Sequence, residues 1–192
     1  MNRDNLRELT VFALLLAIGV VGRWYQLAWN VTPLAAVTVL GAYYFRQLLP
    51  AVLLPISILT VSNVLLPAYP HWQVQAAVYV MMLVPLALGR AARGADGWLK
   101  NGWQGNRWQG AKHFALCGFV PATLFFLVTN FAVWAFTPYY QKTLAGLANC
   151  YWMALPFYRW MLVGDLCFLT VLVGALLLAQ ALARQTSAGR SA

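Results

Sequence analysis

From His113 to Phe136 the chain reads HFALCGFVPATLFFLVTNFAVWAF, without one Lys, Arg, Asp or Glu. About 20 apolar helical residues cross a bilayer core. No water is present at that depth to bond a free backbone N–H or C=O, so such a run must satisfy itself as a helix. Five more apolar stretches occur, at about 6–29, 33–48, 50–66, 73–88 and 156–183. The second, third and fourth of the six are short for a crossing, and Pro55 and Pro85 are candidate kinks. Residues 138–152, PYYQKTLAGLANCYW, suit a short interfacial helix. The first stretch follows charged residues, as in a signal peptide, but runs on into RWYQLAW with no small-residue cleavage site. It therefore reads as a first membrane helix. With 62% of residues hydrophobic and only 9% charged, the composition does not suit a soluble domain. The expectation is an all-α membrane protein, a bundle of six transmembrane helices forming one integral domain over 1–192.

The basic residues give this bundle a direction. With the N-terminus inside, six crossings put Arg3, Arg7, Arg46, Arg90, Arg93, Lys100, Arg107, Lys112, Arg184 and Arg190 on the inner side. Only Arg23, Lys142 and Arg159 fall outside. Lys and Arg collect in cytoplasmic loops, so both termini are expected in the cytoplasm. The net charge of +9 then reflects a basic face against anionic lipid rather than nucleic-acid binding. The basic cytoplasmic loop, 89–112, repeats Trp-Gln-Gly at 103–105 and 108–110. Gly105 and Gly110 have phosphate-loop spacing, but Ala111 displaces Lys112, and His113 replaces the hydroxyl residue. The loop reads instead as a Trp-rich segment on the headgroups.

Polar residues within the apolar stretches gather toward the outer half. Asn130 lies near the outer end of the fifth stretch, Asn63 of the third, Arg23 of the first and Arg159 of the last. Asp165 lies deeper. Such residues face a bundle interior or a water-filled cavity. Two readings follow. In one, Asp165 pairs with Arg23 or Arg159, and the asparagines tie helices together. In the other, Asn63, Asn130 and an arginine contact a ligand entering from outside. Trp24, Trp134, Tyr151 and Tyr158 belong to the same outer layer. Trp134 shares a helix face with Asn130, and Tyr158 shares one with Asp165. Ala13 and Ala17, four apart, form a small-residue face for a partner helix.

Catalytic chemistry finds little here. Of four acidic residues only Asp165 is within the apolar segments, and His71 and His113 fall on opposite sides. Cys117, Cys150 and Cys167 have no metal-ligand spacing. No enzyme, metal or cofactor is expected.

Two stretches carry a resemblance. WNVTPLAAVTVLGAYYF, 29–45, resembles a pattern of Pro-Asn-Phe-Thr-Pro-x-x-Ala followed by Gly-Ala-Tyr-Phe, with Trp29 in place of proline. Residues 126–168 resemble Thr-Asn-Phe-x-Val-Trp, then Tyr-x-x-Thr-x-x-Gly-Leu, Cys-Tyr-x-x-Ala-x-Pro-Phe and Gly-Asp-Leu. Ser62-Asn63 stands where a Ser-Asp pair is expected. Together they resemble a bacterial family of small membrane proteins similar in architecture to the substrate-binding S components of energy-coupling factor transporters. The matching residues are Asn30, Thr32, Pro33, Thr129, Asn130, Trp134, Gly146, Cys150, Tyr151, Arg159 and Asp165. The resemblance implies an inner-membrane protein that binds a micronutrient from outside, such as cobalamin, another vitamin or a metal chelate. A membrane coupling subunit and ATPases would supply the energy. The alternative is a structural or assembly membrane protein without a ligand.

Overall fold

A computed structural model describes residues 3–26, 28, 30–67, 69, 71–94 and 107–188. The described residues form seven helices and no strand. They are α1 (Arg3–Trp24), α2 (Leu34–Tyr44), α3 (Leu48–Ser62), α4 (Trp72–Met81), α5 (Leu83–Gly94), α6 (Arg107–Phe136) and α7 (Leu144–Ala188). Among the described residues four segments are long and apolar enough to cross a membrane: Asp4–Trp24, Trp72–Arg93, Lys112–Phe136 and Leu144–Ala179. The expectation of six crossings is corrected accordingly. The 11 residues of α2 and 15 of α3 extend only about 16 and 22 Å at 1.5 Å per residue, against a core of about 30 Å.

The shortest of the apolar stretches lies at the centre. α2 packs against α1, α3, α5, α6 and α7, and eight of its residues, Leu34 to Val39 with Gly41 and Ala42, are buried. Its small residues let neighbouring backbones approach. Because protein covers it on every side, the chain can leave the helix at membrane depth without exposing backbone to lipid. The Phe45 carbonyl beyond its end accepts hydrogen bonds from Arg90 (3.0 Å) and Arg93 (2.7 Å). The outer helices are apolar on their uncovered faces as well. Leu14, Ile18, Phe119, Phe131, Val163 and Val171 are exposed, as lipid-facing residues are.

Two boundaries differ from the sequence reading. α7 starts at Leu144, so the interfacial helix expected over 138–152 and the last stretch form one 45-residue helix with Pro156 inside it. The fourth stretch is a bent pair, α4 and α5, broken at Met82. Pro85 has no N–H to offer the Met81 carbonyl, and Met82 closes the turn on Tyr79 O at 3.2 Å. α6 begins at Arg107, so the second Trp-Gln-Gly copy and Gly110 lie in a helix rather than a phosphate-binding loop. The first copy, Gly105 and Lys100 lie outside the described residues, as do Trp29 and Arg190.

Contacts fix the relative directions. Trp24 Nε1 donates to Ser62 O at 3.0 Å, and Phe12 meets Phe45 at 5.9 Å between ring centroids. α1 and α3 therefore run together, with α2 antiparallel between them. Tyr151 Oη donates to Leu127 O at 2.8 Å, while Gly118 faces Leu166, so α6 and α7 are antiparallel. Arg7, Arg46, Arg90, Arg93 and Lys112 gather toward one end of the bundle. Arg23 and Lys142 lie toward the other, called here the Arg23 end.

Candidate functional site

A cavity of about 270 Å³ opens toward the Arg23 end. Arg23 of α1, Gln26, Asn30 and Thr32 of the following loop, Tyr69, Thr129 of α6 and Asp165 of α7 supply its polar wall. Leu59, Val74, Val78, Met81, Met82, Phe125, Val133 and Met161 supply much of the apolar wall. Thr129 and Pro121, both at the wall, are eight residues apart on α6, so the cavity extends about 12 Å along the bundle. A second cavity of about 120 Å³ shares Asn30, Phe125, Thr129 and Met161 with it and adds Phe126, Asn130, Ala154, Phe157 and Tyr158.

The loop that roofs this space is shaped by its sequence. Asn30 has φ 63°, the left-handed region that asparagine tolerates better than most residues. Gln26 steadies it, its side-chain oxygen accepting the Asn30 N–H at 3.2 Å. Gly22 and Gly164 let the following residues close in. A Cβ on Gly22 would strike the Pro33 ring at 2.4 Å, and one on Gly164 would press on the Val31 backbone at 3.1 Å.

The two charges on the wall are buried and held differently. Arg23, 8% exposed, has only neutral partners among the described residues. Its Nη1 donates to Ser62 Oγ and, at 3.2 Å, to Asn63 Oδ1, and its Nη2 reaches Tyr69 Oη at 3.5 Å. Asp165 is 6% exposed. Among the described residues no hydrogen bond or ion pair reaches its carboxylate. Of the two readings, the one in which Asp165 pairs with Arg23 or Arg159 is not what the described residues form. Arg23 is turned toward α3, and Arg159 is exposed with its guanidinium 5.5 Å from the Trp160 ring.

The remaining expected site residues divide. Asn130 and Tyr158 line the smaller cavity, and Asn30 lines both. Tyr158 Oη lies 2.9 Å from Thr123 Oγ1. Asn130 donates to Phe126 O of its own helix at 2.7 Å, and among the described residues its amide does not tie helices together. Neither cavity is lined by Trp24, Asn63, Trp134, Tyr151 or Arg159. Asn63 acts on the cavity through Arg23, and Trp24 braces α1 against α3. Trp134 is held by the loop after α6, donating to Gln141 O at 2.9 Å, while Lys142 caps the Trp134 and Thr137 carbonyls. Gln26, Tyr69, Met81 and Met82 belong to the wall without having stood out in the sequence. A glutamine or tyrosine just outside an apolar run looks like an interfacial residue until the fold turns it inward.

The match to known proteins covers nearly the whole described chain, residues 3–187. The chain belongs to a family of unknown function, DUF6580. No curated protein and no solved structure matches it.

The unpartnered carboxylate leads to a stability prediction. Asp165→Asn should leave the ligand-free protein within about 1 kcal/mol of the wild type, because the amide and the carboxyl are close in size and no hydrogen bond among the described residues is lost. Unfolding in detergent checks this. A loss of several kcal/mol would mean that Asp165 holds the fold together.

Proposed function

We propose that the protein is a membrane-embedded binding subunit that takes up a small solute from the Arg23 end. The observation that carries this reading is the cavity with a buried carboxyl in its wall that has no partner among the described residues. A stable fold gains nothing from such a group, whereas a ligand site can use it to bind a polar or cationic group. The volume lies near the lower limit of about 300 Å³ for small-molecule sites, which favours a compact micronutrient over a macrocycle the size of cobalamin. The positive-inside rule puts the Arg93 end and both termini in the cytoplasm of a bacterial inner membrane. Resemblance to S components supports transfer through a separate coupling subunit and ATPases. Ala13 and Ala17 are exposed on α1, free to meet such a subunit. Gly19 and Gly22 serve contacts within the chain instead.

The competing reading is a structural or assembly membrane protein. It draws on the hydrogen bonds that Arg23, Trp24, Trp134 and Tyr151 make to protein groups. Native mass spectrometry of protein purified in mild detergent separates the two. A retained small molecule, absent from an Ala35→Leu variant that fills the cavity, is the expected result. Wild-type and variant proteins that each fly at the mass of the bare chain, with no retained solute, would favour the structural role.

A further inference from the structure

We infer that the solute is amphoteric: a small molecule with an apolar body, an anionic group held near Arg23 and a cationic group held at Asp165. This rests on the solute-binding reading above and adds the charge of the ligand to it. Both residues line one cavity and both are more than nine-tenths buried, yet they form no ion pair. Arg23 is always protonated. Its partners Ser62, Asn63 and Tyr69 are neutral, so they satisfy its N–H groups and leave its charge uncompensated. Among the described residues Asp165 has neither a counter-charge nor a donor. A buried guanidinium without a counter-ion and a buried carboxyl without a bonding partner are both costly when the cavity is empty. A ligand with both charges offsets both costs at once. Val78, Met82, Phe125 and Met161 line the same cavity, which suits a hydrocarbon body. Asn30 and Thr129 offer hydrogen bonds in it.

The test is titration of the full chain in detergent with five compounds of similar size. Norleucine and ε-aminocaproate are isomeric zwitterions with their charges close together and far apart. Hexylamine carries only the cation, hexanoate only the anion, and hexanamide neither. At least one zwitterion should bind ten-fold or more tightly than all three controls. Asp165→Asn should weaken that zwitterion on the order of 10- to 100-fold, the range for a lost charged hydrogen bond, and leave hexanoate unchanged. Asn63→Asp gives Arg23 a counter-charge from outside the cavity. It should weaken the zwitterion and hexanoate and spare hexylamine. Hexanamide binding as tightly as the zwitterions, or neither zwitterion exceeding the controls, overturns the inference. A solute retained in native mass spectrometry alongside either result shows that the charge assignment has failed and the binding role has not.

Discussion

Arg23→Leu is expected to cost about 2–4 kcal/mol of stability, measured as unfolding in detergent. Arg23 links the end of α1 to the end of α3 and to Tyr69 before α4. Removing it strands Asn63 Oδ1 and Tyr69 Oη at a partly buried site, and hydrogen bonds to a charged group are worth about 1.5–3 kcal/mol each. Ser62 loses least, because its hydroxyl also bonds Ile58 O at 2.5 Å. Leucine keeps the apolar stem and so isolates the loss of the guanidinium. The contrast with Asp165→Asn is the useful part. One wall charge supports the fold and the other does not, although both lie at similar burial. If both variants lost similar stability, the two charges would belong to one structural network and the cavity would have no need of a ligand.

The sequence showed where polar groups lie along each helix but not which neighbours they face. Depth follows from counting at 1.5 Å per residue, and that count brought Arg23, Asn130 and Asp165 toward one half of the bundle. Azimuth and neighbour choice come from packing. α1 packs along α3, so Arg23 meets Ser62 and Asn63 instead of Asp165. Asn130 posed the question of an amide within an apolar run. The answer is local: Phe126 O takes its N–H one turn earlier, and the adjoining Thr129 faces the main cavity. Helix ends were less legible, because the apolar stretch at about 156–183 is only part of its helix. Pro156 lies twelve residues inside α7. Neighbouring helices and local adjustment let a membrane helix absorb such a break. The shortness of α2 and α3 was visible from their apolar lengths, but the consequence, a central helix wrapped by its neighbours, was not.

Gly89→Ala should destabilise the protein by about 1–3 kcal/mol, whereas Gly174→Ala should stabilise it by up to about 1 kcal/mol. The substitution is the same and both sites are helical, so helix propensity favours alanine at each by about 1 kcal/mol. The surroundings reverse the sign at Gly89. A Cβ there would lie 2.3 Å from the Val39 carbonyl oxygen and 2.7 Å from Ala42 Cβ. Backbone cannot turn aside as a flexible side chain can, so α5 would have to move away from α2, and overpacking of this kind costs typically 1–3 kcal/mol. At Gly174 nothing lies within 4 Å of the added carbon. The shift at Gly89 would also pull Arg90 from the Phe45 carbonyl, and it would disturb the central helix that carries Leu34 and Ala35 in the cavity wall. Solute retention should therefore fall with stability in Gly89→Ala and persist in Gly174→Ala. Equal stability for the two variants would mean that α2 and α5 do not approach this closely.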